Sequence, residues 1–89
     1  MVIDEERIKE IFGEETLYII NANEDIIIKN AKTMEILGFE DIEGLFERCP
    51  SFFLNFPNKF KIKLEKLKEE LGPNYIELIE NDVSIIEKM

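Results

Sequence analysis

Three polar residues alternate along the chain as the first ligands of a calcium loop do: Asn21, Asn23 and Asp25. A calcium loop of this type also needs a glycine at its sixth position and a bidentate glutamate at its twelfth. Ile26 and Lys32 stand at those positions. We therefore interpret the three residues as a loop and a helix cap, and predict neither a metal site nor a cofactor.

Nucleophilic catalysis and zinc binding lack the side chains that they need. The 89-residue chain has no histidine and one cysteine, which excludes Ser-His pairs, Cys-His pairs and the usual zinc ligand sets. That cysteine, Cys49, precedes Pro50 at the end of a predicted short helix, where the helix dipole disfavours a thiolate. We expect a packed, unreactive thiol and no catalytic residue.

Carboxylates are the most abundant groups that could act as acids or bases. There are 20 acidic side chains against 11 basic ones, which gives a net charge of −9. The acidic clusters are Glu5 and Glu6, Glu14 and Glu15, Glu40, Asp41 and Glu43, and Glu69 and Glu70. They fall at helix starts or on helix faces without an apolar pocket pattern around them, so a solvated surface is favoured over an active site.

The composition also limits where the protein works. One cysteine permits no intramolecular disulfide, which favours a reducing compartment. The first residues are acidic, unlike a signal peptide, and no apolar run approaches the length of about 20 residues that a membrane span needs. We expect a cytoplasmic, non-enzymatic protein that does not bind membranes.

A lysine-rich segment is the main local exception to the acidic balance. Residues 59–68 hold five of the 11 basic side chains. At about 100° per residue, Lys59, Lys63 and Lys66 fall on one stripe of a helix, to the side of its apolar face. This stripe is a candidate nucleic-acid contact, although a solvated face balanced by neighbouring glutamates is the favoured interpretation.

The aromatic cluster is the other candidate for binding. Phe52, Phe53 and Phe56 lie close together in the sequence, and burial between helices is their favoured role. A short helical array, however, leaves its end faces uncovered. Some of these three residues, or Ile85 and Ile86, are therefore predicted to form an exposed apolar patch for a protein partner or a second copy.

Helix starts and stops are clearly marked in the sequence. The predicted N-caps are Asp4, Asn23, Asp41 and Asn74, with Pro57 in a first turn, and the predicted stops are Gly13, Gly38 and Gly72. Such residues favour those positions because they satisfy or tolerate the unpaired ends of a helix. Two apolar stretches, residues 17–20 and 52–54, are predicted to lie between helices. The β-branched run at residues 26–28 is assigned to a helix because a helical apolar spacing continues after it.

The predicted elements recur along the chain. Ile8, Ile42 and Ile76 are spaced by 34 residues, as are Gly38 and Gly72. A period in this range is typical of helical-hairpin repeats. The sequence therefore predicts a single all-α domain over residues 1–89. We expect a short array of about two and a half repeats, each with a short helix, an apolar turn and a long helix.

The best copy, residues 36–72, resembles the repeat of the mitochondrial transcription termination factor (mTERF) family. The matching features are a Leu-Gly-Phe turn at 37–39, an Arg-Cys-Pro step at 48–50, an apolar turn at 52–54 and a Leu-Gly stop at 71–72. Thr16 and Val83 stand where the flanking copies would carry the proline. The resemblance implies a helical repeat that wraps nucleic acid along a basic concave face, and the acidic charge of this chain departs from that pattern.

Three functions follow as hypotheses. The favoured one is a helical-repeat module that binds another macromolecule, most simply a protein. The first alternative is a nucleic-acid-binding, transcription-related module that uses the 59–68 lysine helix. The second is a small acidic inhibitor that occupies a basic groove of a nucleic-acid-handling protein.

Overall fold

The computed structural model describes residues 3–87, which form eight α-helices and no β-strand. Their bounds are α1 Glu5–Phe12, α2 Glu14–Ala22, α3 Glu24–Leu37, α4 Ile42–Arg48, α5 Pro50–Phe53, α6 Pro57–Leu71, α7 Tyr75–Asn81 and α8 Ser84–Glu87. The predicted all-α class is therefore confirmed. The 34-residue repeat stays a prediction.

Several predicted helix boundaries are confirmed by the backbone geometry. The Asp4 carboxylate accepts a hydrogen bond from the backbone N–H of Arg7 at the start of α1, at 3.2 Å. Asp41 accepts one from the N–H of Gly44 at the start of α4, also at 3.2 Å. Gly38 ends α3 in the left-handed conformation, with φ of 107°, which a residue without a Cβ adopts at no steric cost.

The two stretches predicted to lie between helices are helical instead. Residues 17–20 belong to α2, which begins directly after Gly13 with two glutamates in its first turn, where the helix dipole favours negative charge. Residues 52 and 53 belong to α5, which Pro50 opens at the first helical position. Asn23 and Asn74 also differ from the prediction, since neither side chain caps the helix that follows it.

One hydrophobic core runs through the described residues. Its largest fully buried side chains include Phe46, Phe53 and Phe60. The rings of Phe46 and Phe53 meet edge to face at 5.3 Å, and Phe53 lies 5.8 Å from Phe60. These contacts join α4, α5 and α6 because edge-to-face and tilted geometries suit the quadrupoles of aromatic rings.

The two long helices, α3 and α6, lie side by side and run in the same direction. Asn30 of α3 donates hydrogen bonds to the backbone carbonyls of Phe53 and Asn55, just before α6 begins. Further along, Thr33 and Leu37 face residues 61–68 of α6 across a narrow cleft. Residue numbers rise together along both helices, so the pair is parallel.

Buried positions correspond between these two helices at a spacing of 33 residues. The corresponding pairs are Ile27 and Phe60, Ala31 and Leu64, and Met34 and Leu67. Each helix therefore presents the same side to the core. The residues along the two edges of α3 can then be compared with those 33 positions later on α6.

Candidate partner-binding surface

Burial between helices, the favoured role of the aromatic cluster, is found for Phe52 and Phe53, and the residues from which the patch was predicted to draw differ in exposure. Phe52 is only 4% exposed, and Phe53 and Ile86 are also buried. Ile85 is half-buried, whereas Phe56 is 71% exposed. The expectation that Phe52, Phe53 or Ile86 offers an exposed contact surface is therefore corrected.

The helical path of α5 explains this burial. The ring centroid of Phe52 lies 4.7 Å from that of Phe60, and the ring of Phe53 packs between Phe46 and Phe60. Phe56 follows the end of α5 and occupies the N-cap position of α6, where its ring points away from this cluster.

The lysine stripe lies along the edge of α6 that faces away from α3. Lys59 and Lys66 are exposed, but Lys63 is half-buried and its Nζ donates a hydrogen bond to Asn55 Oδ1 at 3.2 Å. At the 33-residue spacing, the counterparts of Lys63 and Lys66 on α3 are Asn30 and Thr33, which face α6. The stripe thus occupies the edge of α6 that corresponds to the α6-facing edge of α3.

The opposite edge of α3 carries a groove that sequence analysis missed. Its volume is about 540 Å³. It is lined by Ile28, Ala31, Lys32 and Glu35 of α3, and by Phe39, Glu40, Asp41, Ile42 and Glu43 after it. Ile28 is 41% exposed there, so part of its side chain offers apolar surface to the groove. An apolar floor between charged margins is the pattern expected of a binding groove.

Hydrogen bonds from α7 and α4 fix the far wall of this groove. Glu80 Oε1 accepts from the backbone N–H groups of Glu40 at 2.9 Å and Asp41 at 3.3 Å. Arg48 donates to the Glu80 carbonyl at 2.9 Å and pairs with Asp41 at 3.4 Å. Hydrogen bonds therefore hold residues 39–41 against α4 and α7, and the backbone of this wall has defined contacts.

The same face exists on α6, where α3 lies beside it and Lys61, Glu65 and Lys68 remain exposed. The corresponding residues, 33 positions apart, are Ile28 and Lys61, Ala31 and Leu64, Lys32 and Glu65, Glu35 and Lys68, and Ile42 and Tyr75. On α6 these residues face Thr33 and Leu37, and the remaining cleft has a volume of about 190 Å³. The groove along α3 therefore corresponds to the cleft between α3 and α6, except that no second long helix of the described residues lines it.

Other grooves lie elsewhere on the described residues. A groove of about 300 Å³ lies between α1–α2 and α4–α5, and buried Cys49 borders it. A depression of about 550 Å³ at the end of α6 is lined by three charged side chains, Gly72 and Pro73. Within residues 3–87, no group of three or more Cys, Asp and Glu side chains is placed to hold a metal ion.

Comparison with known proteins gives no further guide. No protein-family model, curated protein or solved structure matches this chain. The candidate surface rests on the chain's own geometry, above all on the correspondence between α3 and α6. In the part of the chain that the structure describes, no helix is long and apolar enough to cross a membrane.

The sequence contains the correspondence between α3 and α6, but the 34-residue period pairs the wrong positions of the two helices. The glycine stops and Ile8, Ile42 and Ile76 are spaced by 34 residues, whereas the buried positions of the long helices are spaced by 33. A comparison at 34 pairs Ile28 with Ile62 instead of Lys61, which hides the fact that one face is open and its counterpart covered.

Proposed function

We propose that this chain is a non-enzymatic module of tandem helical units that binds another protein through the groove along α3. The observation that supports this function is the open groove, whose counterpart on α6 is filled by a helix of the same chain. A face shaped to be covered by a helix, and left open, offers apolar surface to a partner.

The tandem-unit part of the proposal is supported by the long helices. Parallel α3 and α6 bury the same positions at a 33-residue spacing, as expected when each unit packs on the one before it. The resemblance of residues 36–72 to the mTERF repeat agrees with this arrangement, and the acidic charge argues against the nucleic-acid role of that family.

The two alternative functions use other parts of the surface. Nucleic-acid binding would rest on Lys59, Lys63 and Lys66, of which Lys63 is already engaged by Asn55. Inhibition of a nucleic-acid-handling protein would rest on the acidic surface as a whole, without a defined groove. The protein-binding proposal is favoured because a shaped, partly apolar surface supports it.

Site-specific photo-crosslinking tests the proposed function. A photoreactive phenylalanine analogue replaces Ile28 in the groove or, as the matched control, Ile62, which is 51% exposed on α6 and lines none of the grooves described. We expect a discrete protein adduct in a lysate of the source organism from position 28 and not from position 62. Equal adducts from both positions, no protein adduct, or adducts with nucleic acid alone would contradict the proposal.

A further inference from the structure

We propose that the partner segment in this groove is a basic amphipathic α-helix that lies parallel to α3. This inference rests on the proposed function and specifies the class of partner. It follows from three features of the groove: the way its counterpart is filled, its apolar floor and the charge of its margin.

The filled counterpart indicates both a helix and its direction. The α6 face is covered by α3, a 14-residue helix that runs parallel to α6. Its contacts with the cleft come from Thr33 and Leu37, which lie four residues apart and so on one side of α3. If a partner helix packs on α3 as α3 packs on α6, its C-terminal end lies beside residues 39–43.

The apolar residues at the floor of the groove favour a partner helix with an apolar stripe. Ala31 is small and only 7% exposed, so a backbone can approach closely there. Ile28 lies along the edge of α3, and half-buried Ile42 lies near the other end above buried Phe39. Residues spaced by three and four positions on an incoming helix would cover these side chains together.

The charged residues at the margin of the groove favour a partner helix with positive charge. Four of its lining residues are acidic, namely Glu35, Glu40, Asp41 and Glu43, and Lys32 is its basic one. Asp41 is partly balanced by Arg48 and Glu43 has an interaction of its own, while Glu35 and Glu40 outnumber Lys32. The covered α6 face differs, because Lys61 and Lys68 there outnumber Glu65. Lysine or arginine beside the apolar stripe would complement the open groove and speed association.

The test uses three labelled 15-residue helical peptides that share one leucine stripe. Their flanking positions are all Lys, all Gln or all Glu, and their binding to the whole chain is followed by fluorescence anisotropy. We expect the Lys-flanked peptide to bind most tightly, with an affinity that falls as salt rises. Ile28→Ser should weaken this binding by about tenfold, and the matched change Ile62→Ser should leave it unchanged.

The outcomes separate this inference from the proposed function. If the Gln- or Glu-flanked peptide binds as tightly and Ile28→Ser still weakens it, the basic class is wrong and the groove remains a protein site. If no peptide binds, or if Ile28→Ser and Ile62→Ser act alike, both proposals are contradicted. Peptide-displaceable dimers of the chain in light scattering would assign the groove to a second copy and overturn the inference.

Discussion

Asn30 is the buried polar residue that connects the two long helices. Its Nδ2 donates to the carbonyl oxygens of Phe53 and Asn55, both at 2.8 Å, and the residue is completely buried. Because both neighbours are acceptors, only the amide NH₂ group can face them. Asn30 Oδ1 has no hydrogen-bond partner among the described residues, so this contact stabilises the junction at the expense of one unsatisfied acceptor.

The change Asn30→Asp tests this role at the residue scale. A carboxylate would place an oxygen against two carbonyl oxygens and bury a charge, so we expect the free energy of unfolding to fall by about 3 kcal/mol or more. The matched change at an exposed site, Asn58→Asp, should have little effect. Urea unfolding followed by circular dichroism measures both, and equal stabilities would show that the Asn30 hydrogen bonds contribute little.

Single residues were predictable where local chemistry decides their role. Asp4, Asp41 and Gly38 act as predicted. The start of a helix needs a side-chain acceptor for its unpaired N–H groups, and its end favours a residue that adopts the left-handed conformation. Burial of Asn30 depends on contacts 23 and 25 residues away in sequence. No local pattern carries that information, so this role emerges only from the folded chain.

At the scale of elements, α7 is held to α4 by polar contacts at one corner. Glu80 accepts from two backbone N–H groups at residues 40 and 41, and Arg48 donates to the Glu80 carbonyl. These contacts supplement the apolar packing of Tyr75 and Ile79, which are buried. They also hold the far wall of the groove, so the corner links the position of α7 to the shape of the binding surface.

Replacing Glu80 tests the link between α7 and the groove wall. Glu80→Ala removes the acceptor for both N–H groups, and we expect faster amide hydrogen exchange in residues 39–45 and 75–81, with a stability loss of about 1 kcal/mol. Glu80→Gln keeps an oxygen acceptor and should exchange at close to the wild-type rate. Unchanged exchange in Glu80→Ala would mean that apolar packing alone positions the wall.

The elements themselves were largely predictable, including the helix over the β-branched run at residues 26–28. Apolar spacing and the Gly38 stop both indicate this helix, although Asn23 does not cap it. The errors, α2 and α5, occur in apolar stretches of a few residues, where helical and extended patterns look alike. The parallel packing of α3 on α6 could not be derived from spacing alone, because it depends on how the units stack.

At the scale of the whole molecule, one face is open where its counterpart is closed. The acidic groove along α3 and the lysine stripe on α6 lie on the two outer edges of the same pair of helices. The edge of α3 has a groove with some apolar surface. The edge of α6 is charged, and its Lys63 is hydrogen-bonded to Asn55 of the same chain. On our proposal, the edge of α3 is the docking surface and the edge of α6 is not.

The most direct test maps where a partner helix lies and in which direction. The Lys-flanked peptide, with a nitroxide at either terminus, is titrated into isotope-labelled protein and followed by NMR. We predict shift changes at residues 28–35 and 39–43, line broadening near residues 39–43 from the C-terminal label, and broadening near Ile28 from the N-terminal label. Changes centred on Lys59–Lys66, or broadening in the reverse order, would contradict the vacant helix position.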